Sequence, residues 1–86
     1  MNRGDERMNR LARGAARAPG RIDNTIRRQR FEAGEMTQAA LAEAAGVARQ
    51  TIIAIEAGRY SPSLELAFRI AAAFGKPLEE VFSYRR

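Results

Sequence analysis

The chain has 86 residues, 15 basic against 10 acidic, and contains no Cys, His or Trp. That length allows one domain, and the missing Cys and His exclude a disulfide scaffold, a thiol nucleophile, a Cys or His metal site and the commonest general base, which argues against an enzyme. No run approaches the roughly 18 apolar residues of a membrane span, and residues 1–20 lack the apolar stretch of a signal peptide, so the sequence predicts a soluble, cytoplasmic protein with no metal or cofactor.

The charge is unevenly placed. Residues 1–30 hold nine Arg against three acidic residues, a net of +6, whereas residues 31–86 hold six basic residues against seven Glu, a net of −1. A basic front on a near-neutral body suits a polyanionic partner, either nucleic acid or an anionic membrane. Fourteen of the fifteen basic residues are Arg, the side chain fitted to forked contact with phosphate or guanine.

Residues 1–20 read as a basic arm, disordered or marginally helical, ending at Pro19-Gly20. Arg3, Arg7, Arg10, Arg13 and Arg17 recur at helical spacing and would form one basic stripe on a helix. Residues 21–86 read as the folded domain. Asn24 is positioned to cap a first helix running to about Gly34, with Ile26, Phe31 and Ala33 as its apolar members. Thr37 caps a second, Gln38 to Ala45, whose apolar positions are Leu41, Ala42 and Ala45, and Gly46 ends it in a left-handed turn. A third runs from Arg49 to about Ala57 and buries Ile52 and Ile55. Ser63 caps a fourth through Phe74, whose spacing gives a buried face of Leu64, Ala67, Phe68, Ile70, Ala71 and Phe74. Leu78 to Phe82 form a short fifth after Pro77. Five short helices with short connections predict an all-α, five-helix bundle.

The stretch Gln38 to Gly58 carries the functional signal. Two helices of eight or nine residues joined by a short turn with Gly have the spacing of a DNA-reading helix-turn-helix. Ala42 is small enough for the third helix to cross close above it, Val47 plugs the corner, and Ile52 and Ile55 lock the third helix to the bundle. That leaves Arg49, Gln50, Thr51, Ile53 and Ala54 to face outward. Arg49 can donate a fork to guanine O6 and N7, Gln50 can pair with adenine N6 and N7, and Ala54 or Ile53 can touch a thymine methyl. Thr37, Gln38 and Thr51 suit phosphate, aided by the positive ends of the second and third helices. Glu79 and Glu80 are neighbours on a helix and point apart, so they form no acid–base dyad.

Three segments, Thr37-Gln38-Ala39-Ala40-Leu41-Ala42, Gly46-Val47-Ala48-Arg49-Gln50-Thr51-Ile52 and Ile55 through Leu64 (Ile55-Glu56-Ala57-Gly58-Arg59-Tyr60-Ser61-Pro62-Ser63-Leu64), resemble the Xre family of lambda-repressor-like regulators, especially its small stand-alone members. The resemblance spans about Ile22 to Tyr84. It implies a lambda-repressor-like bundle, DNA contacts at Gln38, Arg49, Gln50, Thr51 and Ala54, and a loop at Arg59 and Tyr60 against the DNA backbone. It also implies an ion pair between Arg30 and Glu56, and a two-stranded ribbon joining Arg21-Ile22-Asp23 to Phe82-Ser83-Tyr84-Arg85. The sequence departs from the family at Gln29, where Leu is usual, at Ala48, where Ser is usual, and in the turn Gly34-Glu35-Met36, which is one residue longer. The arm before Ile22 is not a family feature.

One such domain reads few base pairs, so specific binding calls for two half-sites and a twofold homodimer. The apolar tail offers a surface for it: Leu78, Val81, Phe82 and Tyr84. The reading is a repressor or other transcriptional regulator that binds double-stranded DNA at a short inverted repeat, with residues 49–57 in the major groove. The alternative is an antitoxin-type module that neutralises a protein partner and binds DNA secondarily.

Overall fold

The computed structural model describes residues 20–86. The expected arm, with its stripe of Arg residues, lies outside the described residues apart from Gly20. The order of elements is β1 (Arg21–Asn24), α1 (Ile26–Glu32), α2 (Gln38–Ala45), α3 (Arg49–Glu56), α4 (Leu64–Phe74), α5 (Leu78–Val81) and β2 (Phe82–Arg85). Among the described residues the fold is thus the expected helical bundle, closed by a short ribbon.

Helix starts and stops follow local chemistry. Thr37 is extended, and its hydroxyl accepts the Ala40 amide at 2.9 Å, which satisfies one of the amides a helix start leaves orphaned. Ser63 does the same for Leu66 at 3.1 Å. Gly46 ends α2 at φ 75° and returns its amide to the Ala42 and Glu43 carbonyls. A Cβ would be strained there. The cap of α1 differs from expectation by one residue. Thr25 occupies the capping position without a side-chain cap, because Asn24 is drawn into β1, opposite Phe82. Asn24 still contributes, accepting from the Ile26 amide at 3.1 Å and donating to the Ile55 carbonyl at 3.0 Å.

The ribbon is antiparallel, pairing Arg21 with Arg85, Ile22 with Tyr84, Asp23 with Ser83 and Asn24 with Phe82. Arg21 and Arg85 face each other as like charges, a destabilising arrangement. Asp23 offsets it by binding Arg21 at 3.1 Å and Arg85 at 3.0 Å. The ribbon joins the two ends of the bundle, and α1 is tied to α5 beside it. Thr25 donates its amide to the Val81 carbonyl at 2.9 Å and its hydroxyl to the Glu80 carbonyl at 2.7 Å.

The core is built from every helix. Ile26, Leu41, Ile52, Ile55, Ile70 and Val81 are fully buried, joined by Ala42, Ala45, Leu66 and Ala71. Each large aliphatic side chain contributes about 1.5–3 kcal/mol by leaving water. Ala42 is buried, as the close crossing of α3 over α2 requires. Val47 packs half-buried at the corner.

Three expectations need correction. On α4 the buried residues are Leu66, Ala67, Ile70 and Ala71, whereas Leu64 and Phe68 are 67% and 54% exposed. Both extend the apolar stripe by one further i, i+4 row, beyond the surface that α2 and α5 cover. Phe31, an apolar member of α1, is 69% exposed. Val81, assigned to a dimer surface, is 1% exposed inside this bundle. Leu78 and Phe82 are half-buried against the same core. Their apolar character is used within the monomer, and Tyr84 alone of the four stays exposed.

Candidate nucleic-acid interface

Helix α3 presents two faces with different chemistry. Ile52 and Ile55 point into the core. Arg49 and Gln50 are exposed at its first turn, and Thr51, Ile53 and Ala54 are half-buried. The turn from α2 fixes this orientation: Val47 donates its amide to the Ala42 carbonyl at 3.0 Å, and the extended Ala48 begins α3. Ala48 supplies no side-chain cap, consistent with the absence of the hydroxyl that Ser would carry. The Thr51 amide turns back to the Ala48 carbonyl at 3.0 Å, so the partial positive charge at this helix start rests on the Arg49 and Gln50 amides.

The starts of α2 and α3 share an open groove of about 440 Å³, lined by Thr37, Gln38 and Ala39 from α2 and its cap and by Arg49 and Glu56 from α3, with Arg27 and Arg30 of α1 beside them. Three predicted positions, Thr37, Gln38 and Arg49, thus come together. Gln50, Thr51 and Ala54 lie outside this groove, further along or around α3. Arg59 and Tyr60 follow α3 at its other end, in a loop that begins at Gly58, φ 78°. Both are exposed, and the Arg59 amide is held to the Ala54 carbonyl at 2.9 Å. Such a layout offers hydrogen-bond donors at both ends of one exposed helix.

Behind this surface lies the Arg30–Glu56 pair. Arg30 donates Nε to Oε1 and Nη2 to Oε2 of Glu56, both at 2.9 Å, and Nη1 to the Met36 carbonyl, also at 2.9 Å. The pair is largely shielded, at 18% and 14% side-chain exposure. One planar guanidinium therefore fixes the end of α3, α1 and the loop leading into α2 in a single geometry. The longer turn is absorbed in that loop by two successive left-handed residues, Gly34 at φ 82° and Glu35 at φ 59°.

Sequence reasoning overlooked two parts of this surface. The sequence offers Arg27 only as one of nine Arg in residues 1–30 and Phe31 only as an apolar member of α1. Both line an open groove of about 810 Å³ between α1 and α3, with Ile53 and Ala57 on the other wall. The available signal was the i, i+4 spacing of Arg27 and Phe31, which puts them on one face of α1.

Comparison with known proteins agrees with this geometry. A family model described as helix-turn-helix matches residues 28–81. An uncharacterised HTH-type transcriptional regulator of Methanothermobacter thermautotrophicus is 60% identical over 58 residues, covering 66% of this chain and 83% of that protein. One of Methanocaldococcus jannaschii is 59% identical over 49 residues, covering 57% and 74%. The Bacillus subtilis regulator YgzD, also termed uncharacterised, is 46% identical over 61 residues, covering 71% and 91%. Among the described residues no helix is long and apolar enough to cross a membrane.

Proposed function

The chain belongs to the Xre-type helix-turn-helix family of DNA-binding transcriptional regulators, and from that premise we propose that it binds a short inverted repeat as a homodimer in the cytoplasm, with α3 in the major groove. The observation that carries this reading is the exposure of Arg49 and Gln50 at the start of α3, with Arg49 beside Thr37 and Gln38. An α-helix with its side chains is about 10–12 Å across, and the major groove is about 12 Å wide.

In this reading Arg49 forks onto guanine, Gln50 pairs with adenine, and Ala54 lies against a thymine methyl. Thr37, Gln38 and Thr51 hold phosphates on one side, and Arg59 with Tyr60 does so on the other. The Arg30–Glu56 pair holds α3 rigid while it is read against base edges. Residues 21–86 form the reading domain, and residues 1–20 add basic charge. The dimer contact keeps Tyr84, with its ribbon neighbour Ile22, and gives up Val81. Family membership and this polar, basic face favour DNA over the alternative of a module whose main task is neutralising a protein partner.

Selection of bound duplexes from a random pool tests the proposal. Recovered sequences should share two inverted half-sites about one helical turn apart, centre to centre. Arg49→Ala and Gln50→Ala should each cost roughly 1–3 kcal/mol on the selected duplex and relax preference at one base pair per half-site. Equal weakening on every sequence would remove the readout roles.

A further inference from the structure

We propose that Arg27, on α1, is an additional contact to the DNA sugar–phosphate backbone, placed outside the helix-turn-helix itself. This inference rests on the DNA-binding reading above. Three observations support it. First, Arg27 stands where three open grooves meet: one shared with Phe31 and Ile53, one with Met36 and Thr37, and one with Gln38 and Arg49. Of the residues assigned to DNA, these grooves include Thr37, Gln38 and Arg49.

Second, its charge is uncompensated. The other two Arg residues of α1 are engaged with carboxylates. Arg28 faces Glu32 at 3.9 Å, and Arg30 is forked onto Glu56. Among the described residues Arg27 is exposed and makes no ion pair. Arg30 follows three residues later on α1, so the two lie close on the helix surface, one fixing α3 and the other left to meet solvent.

Third, the geometry selects phosphate over bases. A major groove about 12 Å wide is filled by one helix of about 10–12 Å. With α3 in the groove, side chains from α1 meet its rim, which is the phosphate backbone. A contact of this kind adds affinity and orientation without sequence information, and it releases a condensed counterion.

The test measures affinity against salt concentration for the full chain, on a duplex selected as above and on an unrelated duplex of equal length. Arg27→Ala should make the slope of log K against log salt shallower by about 1.8 for the bound dimer, about 0.9 for the one phosphate that each protomer contacts on duplex DNA. It should lower affinity by the same factor on both duplexes. Arg27→Lys should keep the slope, because a point charge is enough for counterion release. Lys76→Ala, which removes a charge lining none of the three grooves, should leave the slope unchanged. A slope unaltered in Arg27→Ala, or a loss confined to the selected duplex, would overturn the assignment while leaving the DNA-binding reading intact. If the unaltered chain binds neither duplex, that reading itself fails and takes this one with it.

Discussion

Arg30 shows how one side chain can fix the orientation of α3. Its three nitrogen contacts reach Glu56 at the end of α3 and the Met36 carbonyl before α2. A shielded ion pair is costly to desolvate, so its main effect is orientation, and removing one partner leaves the other charge unpaired. Arg30→Ala should therefore destabilise the domain by about 3 kcal/mol, read as a lower urea midpoint. Replacing both partners, Arg30→Met with Glu56→Leu, should recover much of that loss and still weaken specific DNA binding. If the double replacement bound the selected duplex as tightly as the parent, the orienting role would be wrong. Gln29 is a second instructive residue. It is 4% exposed at a position suited to an aliphatic side chain, yet its amide nitrogen lies 3.3 Å from the Thr25 hydroxyl and 3.4 Å from the Glu80 carbonyl. The polar group is kept because it joins α1 to α5, where burial without a partner would carry a penalty.

At the scale of elements, the caps explain why so much of the fold is legible in the sequence. Thr37 and Gly46 bound α2, and Ser63 starts α4, where their residue types predict, and the structure agrees residue for residue. Ala48 is the gap in this set. It holds an extended cap conformation, φ −70° and ψ 150°, without a side chain able to use it. Ala48→Ser should stabilise the domain by about 1 kcal/mol, seen as a higher urea midpoint at constant m-value. No gain would mean that α3 does not begin there in solution. What the sequence could not convey was which apolar residues face which neighbour. On α4, Leu64 and Phe68 share helical spacing with Ala67 and Ala71, and only the placement of α2 and α5 decides that the first two stay exposed. Val81 poses the same problem in reverse. Apolar residues near a chain end fit a subunit contact as well as a core, and the ribbon pairing of Asn24 with Phe82 settles it by drawing α5 inward. At the candidate site, Arg49 and Gln50 were legible because a helix-turn-helix leaves their positions outside. Arg27 was not, because the proposed role depends on how α1, α2 and α3 pack around one groove, which spacing along a single helix does not convey.

For the whole molecule, the division of charge matches the division of labour. The net +6 of residues 1–30 includes Arg27, Arg28 and Arg30 on α1, the helix beside the candidate surface, while residues 31–86 are nearly neutral and hold both the scaffold and α3. In the proposed reading the Arg residues of α1 add to the attraction for DNA, and base reading comes from a few side chains on α3. The account stands on α3 lying against the base edges of the major groove. Methylation interference at guanine N7, an atom open only in that groove, tests this most directly. Methylating the contacted guanine of a selected duplex should block binding by the unaltered chain and have no further effect on Arg49→Ala. Binding by the unaltered chain that is indifferent to methylation at every guanine in the site would contradict it.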